Sequence, residues 1–179
     1  YKLFFGPSGM KVEKNTGVLS WMPQETQIDT VEYAVVSIHG VASDTQFVEV
    51  FVNHPPVIQK APAPMTKVNV GGIWDFDLKV QDPNVNDKLI YTAHVIPEGM
   101  RMDPHTGRLH WEPTAAQVDF HDLKIEISDG KLSKFIESEF FVNAPIKIMS
   151  VPTMTATVGD DYSYKIITID RNKGALLPF

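Results

Sequence analysis

Apolar and polar residues alternate along several short stretches of this chain, a pattern typical of strands with one buried face. Residues 74–80 alternate in this way, and residues 162–166 follow the same pattern. Residues 123–128 alternate up to an Asp-Gly pair, and residues 135–142 follow it, which predicts a β-hairpin. The sequence contains no helical stripe with a period of 3.6 residues, so it predicts an all-β fold.

A sequence repeat of about 90 residues organises these stretches. Residues 7–23 and 97–113 share the pattern Pro-x-Gly-Met, five variable residues, then Thr-Gly-x-Leu-x-Trp-x-Pro. Residues 1–53 align with residues 91–143 without a gap, and about a third of the aligned pairs are identical. A period of this length is the size of one small β-sandwich domain.

The repeat divides the chain into three parts. Residues 1–53 are the C-terminal part of a first repeat, 54–143 are a complete repeat, and 144–179 are the N-terminal part of a third. The third part aligns after a two-residue slip, so that Asp-Pro-Asn at 82–84 matches Asp-Arg-Asn at 170–172. We therefore expect one whole sandwich flanked by two complementary halves.

The linkers between the repeats, residues 53–56 and 143–145, are short and contain proline. Linkers of this kind are stiff, so we expect successive domains to stack end to end. Two interpretations of the half-repeats stay open. They are either a window onto a longer array, or true termini whose unpaired strand edges recruit strands from identical subunits and build a filament.

The complete repeat carries the residues that indicate a known family: Gly-containing 70–72, the acidic loop and strand 82–91, Pro-x-Gly-Met at 97–100, the Thr-Gly to Gln segment 106–117, and Ser-Asp-Gly at 128–130. This combination resembles the tandem cadherin-like, dystroglycan-type putative-Ig domains of bacterial surface proteins. The resemblance implies an antiparallel Greek-key sandwich, Ig-like, with about seven strands per repeat. It also implies an extracellular or cell-surface adhesion or spacer unit.

The tryptophans of the repeat are predicted to be core residues. Leu109 and Trp111 are two positions apart, so both side chains point to the same face of one strand, with Met100 beside them. Trp21 occupies the same repeat position as Trp111, and Trp74 aligns with a tyrosine of the third repeat. Large aromatics that recur at the repeat period favour a structural role.

Calcium is the candidate cofactor. Cadherin repeats bind it through acidic loops, and here oxygen-bearing side chains cluster in one loop and one turn. Hard oxygen ligands of this kind suit calcium, which takes six to eight of them. The candidate ligands are Asp82, Asn84, Asn86, Asp87 and Asp129.

The same residues also suit an ordinary turn, because Asp and Asn side chains bond to nearby backbone. Several departures from calcium-binding cadherins favour this alternative. Pro113 and Thr114 stand where those proteins carry an acidic motif, and neither linker has their run of aspartates. In the third repeat the loop reads Asp-Arg-Asn-Lys at 170–173, with cations among the ligands.

Other chemistry has little support in the sequence. His105, His110 and His121 correspond to Asn15, Ser20 and Val31 one repeat earlier, so we interpret them as surface residues, and the remaining histidines are His39, His54 and His94. The sequence has neither a Gly-x-Ser-x-Gly elbow nor a phosphate-binding loop. Its carboxylates, such as Glu32, Asp103, Asp119 and Asp122, fit a solvated face. We therefore predict a protein that is not an enzyme.

The composition of the chain argues against several classes of partner and site. A net charge of −6 without a Lys/Arg cluster argues against nucleic acid. No apolar run approaches the roughly 20 residues that span a bilayer. The absence of cysteine excludes a disulfide scaffold and thiolate metal sites.

The leading functional hypothesis is a non-catalytic structural or adhesion module in a repeat array or filament. Its partners would be neighbouring repeats or identical subunits, and surface proteins or glycans. The alternative is a carbohydrate-binding or spacer domain of a larger secreted enzyme. Exposed aromatics would favour that alternative, and Tyr33 and Phe120 are the residues whose substitution distinguishes the two hypotheses.

Overall fold

The computed structural model describes residues 1–172, and its regular secondary structure is almost entirely β. The strands before the first linker are β1 (Lys2–Phe5), β2 (Lys11–Val12), β3 (Leu19–Ser20), β4 (Asp29–His39) and β5 (Ala42–Val52). The strands of the complete repeat are β6 (Val57–Lys60), β7 (Met65–Asn69), β8 (Trp74–Asp77), β9 (Lys79–Gln81), β10 (Ile90–Val95), β11 (Arg101–Met102), β12 (Arg108–Trp111), β13 (Asp119–Ser128) and β14 (Ser133–Asn143). A 3-10 turn covers Ala115–Gln117. The pair β15 (Lys147–Ile148) and β16 (Thr168–Ile169) follows.

The chain divides into two compact units whose boundaries differ from those of the sequence repeats. The first unit consists of residues 1–57 together with two loop segments of the complete repeat, 80–90 and 128–134. The second unit takes residues 58–79, 91–127 and the chain from residue 135 onward. The acidic loop and the Ser-Asp-Gly turn therefore belong to the first unit.

The second unit contains a β-sandwich. One sheet has the strand order β10-β13-β14-β7, and the facing sheet has the order β11-β12-β8. Strand β7 runs parallel to β14, with Met65 opposite Glu139 and Asn69 opposite Asn143. Strand β8 runs antiparallel to β12 and places Trp74 opposite Trp111. The predicted all-β sandwich is confirmed, including the hairpin of β13 and β14.

The core of this sandwich is built around Trp111. Its side chain is fully buried, and its ring meets the ring of Phe140 edge-on, with 5.6 Å between the centroids. The indole Nε1 donates a hydrogen bond of 3.0 Å to the carbonyl oxygen of Glu98, which satisfies its polar group inside the core. Trp74 also meets Phe140 edge-on, at 4.8 Å. The other fully buried core side chains are Leu109, Leu123, Ile125, Ile127 and Val142.

The Thr-Gly turn owes its glycine to an aromatic neighbour. Gly107 has φ +68°, and a Cβ built there would lie 2.7 Å from the ring of Tyr91. The first repeat has the same arrangement, with Gly17 at φ +74° and a built Cβ 3.0 Å from the ring of Tyr1. Glycine is required at these positions by both the backbone angle and the space that the ring occupies.

Among the described residues of the first unit, strands β1 to β5 correspond to β10 to β14, and no strand corresponds to β7 or β8. Its sheet has the order β1-β4-β5, and β4 pairs with β5 from Asp29 opposite Val52 to His39 opposite Ala42. Strand β5 corresponds to β14, but on its outer side the described residues place no strand equivalent to β7. Several large apolar side chains on this sheet are exposed, among them Phe4, Phe5, Phe47 and Phe51.

Trp21 is less buried than the sequence predicts. Its side chain is half-buried, whereas that of Trp111 is fully buried. Its Nε1 is enclosed but has no hydrogen-bond partner among the described residues. The difference follows from the partner strands, because β12 pairs with β8 whereas β3 pairs only with β2 within residues 1–172.

The prediction of a strand at residues 162–166 is wrong for this structure. These residues form no ladder, and Tyr162 and Ile166 are exposed. The matching strand of the complete repeat, β8, is held by β12. Alternation describes a strand's two faces, but a strand also needs a neighbour to satisfy its backbone.

Candidate functional site

The acidic loop is fastened to the first linker through Asn84. This side chain is 1% exposed, and its Oδ1 accepts a hydrogen bond of 2.7 Å from the backbone N–H of His54. Its Nδ2 donates to the carbonyl oxygen of Val52 at 3.0 Å and to Oδ1 of Asp29 at 2.8 Å. The buried amide is therefore fully satisfied by the linker and by strands β4 and β5.

Asp82 shapes the loop that presents Asn84. Its Oδ1 accepts a hydrogen bond of 2.9 Å from the backbone N–H of Asn84, which closes a local Asp turn. The other oxygen, Oδ2, is buried and has no hydrogen-bond partner in the part of the chain that the structure describes. Burial raises the pKa of Asp82, and the nearby charges of Asp129 and Asp87 raise it further, against the lowering effect of the Asn84 hydrogen bond.

Asp129 holds the β13–β14 turn against the same linker. Its Oδ1 accepts hydrogen bonds of 2.6 Å from the backbone N–H groups of Lys131 and Leu132. Its Oδ2 accepts one of 2.8 Å from the side-chain amide of Asn53. Burial alone would raise the pKa of Asp129, but these hydrogen bonds, with the charge of Lys131, outweigh it and lower the pKa.

Lys131 completes this group of side chains, which we call the linker cluster: Asp82, Asn84, Asp87, Asp129 and Lys131, with the linker residues Asn53 and His54. The ammonium of Lys131 lies 3.1 Å from Oδ2 of Asp87 and 3.2 Å from Oδ1 of Asn53. Every residue of the cluster belongs to the first compact unit. The structure thus brings together four of the five predicted calcium ligands.

Asn86 is the predicted ligand that lies apart from these contacts, because its side chain is exposed. The other four, Asp82, Asn84, Asp87 and Asp129, each use at least one side-chain oxygen for a hydrogen bond within the protein. Within residues 1–172, no group of three or more His, Asp or Glu side chains is arranged to hold a metal ion. These contacts fit a hydrogen-bonded turn better than a set of free oxygen ligands, and calcium at this loop stays a prediction.

The second linker repeats the contact. Oδ1 of Asn172 accepts a hydrogen bond of 2.8 Å from the backbone N–H of Ala144, as Asn84 does from His54. Nδ2 of Asn172 donates to the carbonyl oxygen of Ala144 at 3.0 Å. Asp170 closes the same local turn as Asp82, with its Oδ1 2.9 Å from the backbone nitrogen of Asn172. The bond from the linker N–H and the local Asp turn therefore recur at both linkers, whereas the groups that accept from Nδ2 differ.

His94, His105, His110 and His121 have different neighbours and do not form one common site. Nδ1 of His110 lies 2.8 Å from Oδ1 of Asp75, and Nε2 of His121 lies 2.7 Å from the carbonyl oxygen of Gln117. His94 pairs with Glu126 at 2.8 Å. His105 lies on an exposed turn, whose backbone N–H groups bond to Asp103. Among the carboxylates considered from the sequence, Asp103 is thus a turn residue.

An aromatic groove of about 480 Å³ lies on the open sheet of the first unit. Phe5, Tyr33 and Phe47 line it together with the carboxylates Glu32 and Glu49. Phe120, the other aromatic considered for ligand binding, instead contacts Phe141 with 4.9 Å between ring centroids. The register sets Tyr33 opposite Val48 and Ala34 opposite Phe47, so the ring of Tyr33 points to the face of the sheet away from Phe47.

No family model and no curated protein sequence matches the chain. Among solved structures, the chain is similar to mouse protocadherin-24 EC1–3, with 16% identity, a TM-score of 0.44, and coverage of 94% of this chain and 64% of that one. It is also similar to protocadherin gamma B7 extracellular cadherin domains 1–4, with 15% identity, a TM-score of 0.45, and coverage of 87% and 44%.

A third similarity is to the endo-fucoidan hydrolase MfFcnA4 of glycoside hydrolase family 107, with 17% identity and a TM-score of 0.41. The match covers 80% of this chain but 23% of the hydrolase, so the chain spans about a quarter of that protein. At such identities these likenesses concern the fold alone. Within residues 1–172, no helix has the length and apolarity required to span a membrane.

Proposed function

We propose that this chain is a non-catalytic structural module of an extracellular repeat array, displayed at a cell surface, as in the bacterial surface proteins that its motifs resemble. The observation that carries the proposal is the repeated contact between loop and linker, Asn84 with His54 and Asn172 with Ala144. A contact that recurs at the linker of each repeat suits a protein whose task is to join repeats in a reproducible geometry.

The chemistry of the linker supports this proposal. Pro55 and Pro56 fix their own φ angles and restrict the residues before them. The preceding backbone of Val52 and His54 is hydrogen-bonded to Asn84. These bonds and the two prolines restrict the backbone of the linker itself. A module of this kind has a structural task and no reaction of its own.

Two measurements on the natural source test this proposal. Antibodies against the chain should label intact cells, and external protease should remove that labelling. A denaturing gel should show a band many times heavier than the 20.0 kDa of these 179 residues. Labelling that requires permeabilised cells contradicts surface display, and a band close to 20.0 kDa contradicts a long array.

A second candidate is strand exchange between identical subunits, and the open outer edge of β5 favours it. In the complete repeat, β7 covers the corresponding edge of β14 in parallel register. Residues 153–157 align with β7, form no ladder, and include the exposed Met154. Docked in the same register on β5 of another copy, they would place Thr153 opposite Glu49.

Cysteine cross-linking tests this second candidate cleanly, because the chain has no cysteine of its own. Mixed Glu49→Cys and Thr153→Cys chains should form a disulfide-linked dimer under mild oxidation. Glu49→Cys mixed with Met154→Cys is the matched control, since the neighbouring residue of a strand points to the opposite face. Equal cross-linking of both mixtures, or of neither, contradicts the register.

A carbohydrate-binding module is the remaining candidate, favoured by the groove that Phe5 and Phe47 line. Aromatic faces beside carboxylates suit sugar rings and their hydroxyl groups. Phe47→Ala should abolish retention on immobilised acidic and neutral polysaccharides while leaving the far-ultraviolet spectrum unchanged. Phe120→Ala is the matched control outside the groove. Absence of retention of the unsubstituted chain on every polysaccharide contradicts this candidate.

A further inference from the structure

The turn between β13 and β14 brings a positive charge to the first linker. Nζ of Lys131 lies 3.1 Å and 3.3 Å from the two carboxylate oxygens of Asp87 and donates to Oδ1 of Asn53 at 3.2 Å. It also lies 4.5 Å from the ring centre of Phe51. An ammonium carries three donors and is attracted to an aromatic face, so each of these neighbours suits it.

The negative charge around this ammonium exceeds that of a single ion pair. Asp82 is 8% exposed, and one of its oxygens has no hydrogen-bond partner in the described part of the chain. Asp129 is equally buried, and Asp87 is largely buried. Carboxylates gathered away from water repel one another and need a cation nearby.

We infer that Lys131 supplies the cation of the linker cluster, at the place where the sequence predicts calcium. Calcium takes six to eight oxygen ligands. Here both oxygens of Asp129 already accept hydrogen bonds from the protein, and one oxygen of Asp82 bonds to the Asn84 backbone. The ammonium fills the position against Asp87. The linker cluster is therefore stabilised by an internal charge and needs no metal.

The first repeat lacks this arrangement. The residue one repeat earlier is Val41, whose side chain is fully exposed. The lysine is thus not a requirement of the hairpin fold, and its contacts with Asn53 and Asp87 account for its place. The inference concerns the stability of the linker cluster and stands independently of the proposed function.

Thermal denaturation of the whole chain tests the inference, in low-salt buffer with either EDTA or calcium chloride on the order of 5 mM. The melting temperature of the unsubstituted chain should be the same in both. Lys131→Met keeps the aliphatic stem but loses the charge, and should lower the melting temperature by about 4 °C. Asp87→Asn should lower it by a similar amount, and Lys134→Met, on the exposed strand beyond the turn, should not lower it.

The double variant Lys131→Met with Asp87→Asn decides whether the two residues act together. Its melting temperature should be no lower than that of either single variant, because the interaction is lost only once. Fully additive losses overturn the inference. A higher melting temperature of the unsubstituted chain in calcium than in EDTA overturns it as well. If Lys131→Met fails to fold, Asp87→Asn still tests the inference. A melting temperature of Asp87→Asn equal to that of the unsubstituted chain would contradict the ion pair.

Discussion

The side chain of Asn84 and the backbone N–H of His54 form a hydrogen bond of 2.7 Å that fixes the first linker to the acidic loop. The same bond recurs at the second linker, where Asn172 accepts from Ala144 at 2.8 Å. Because the asparagine is buried in the first case, the bond is protected from competing water. This pair of contacts is the basis of the proposal that the chain is a structural module of a repeat array.

Replacing Asn84 with alanine should lower the free energy of unfolding by about 1–3 kcal/mol, because Asp29, Val52 and His54 each lose a partner. Urea denaturation followed by circular dichroism measures this loss. Asn86→Ala, on the exposed side of the same loop, is the control and should change the free energy by less than about 0.5 kcal/mol. Equal losses of unfolding free energy in the two variants would contradict a specific contribution of the Asn84 hydrogen bonds to stability.

The two equivalent tryptophans should respond differently to substitution by phenylalanine. Trp111→Phe removes a buried hydrogen bond to Glu98 and opens a cavity, so it should cost about 2 kcal/mol of unfolding free energy. Trp21→Phe removes an Nε1 that has no partner among the described residues, and should cost about 1 kcal/mol or less. Denaturant unfolding compares the two variants directly. A larger loss at Trp21 would contradict the structure of the first unit.

The contact between Gly107 and Tyr91 predicts a strong effect of a single methyl group. Gly107→Ala adds a Cβ 2.7 Å from the ring at φ +68°, so we expect a loss of about 2 kcal/mol or more. Gly99→Ala has a similar backbone angle, φ +76°, but open space around its Cβ, and should lose only about 1 kcal/mol. The difference between their melting curves isolates the clash with Tyr91.

Acid stability should depend on Asp103. Hydrogen bonds from the backbone N–H groups of His105 and then Thr106 lower the pKa of Asp103 below its usual 3.8. A lowered pKa in the folded state adds stability above that usual value, and this stability is lost as the pH falls through the folded-state pKa. Asp103→Asn cannot titrate, so its unfolding free energy should fall less steeply below about pH 4.

Denaturation of Asp103→Asn at several pH values measures this slope. The unsubstituted chain, measured at the same pH values, is the reference for the slope. An acid limb as steep in Asp103→Asn as in the unsubstituted chain would contradict the assignment.

The strands of the complete repeat were predictable because their pattern and their partners lie in the same stretch of sequence. The hairpin of β13 and β14 and the burial of Trp111 followed from alternation and from the repeat. The stretch 162–166 has equally clear alternation but forms no strand, because pairing depends on a neighbour that a local pattern does not describe.

The linker cluster was only half predictable. The sequence identified Asp82, Asn84 and Asp129 as a group, but it could not tell an oxygen that binds a metal from one that accepts a backbone hydrogen bond. The match between Asp-x-Asn at 82–84 and 170–172 was the available signal for the linker contact. Lys131 was missed because no repeat position requires it, and its role depends on contacts with Asn53 and Asp87 that only the folded chain brings together.

Amide hydrogen exchange at the two linkers tests the central claim most directly. We predict that Asn84→Ala speeds exchange of the His54 amide by about tenfold, the equivalent of one lost hydrogen bond, and leaves Ala144 unchanged. Asn172→Ala should do the reverse, so each variant is the control for the other. Exchange at His54 and Ala144 that is fast in the unsubstituted chain, or indifferent to both substitutions, would contradict the account of how the repeats are joined.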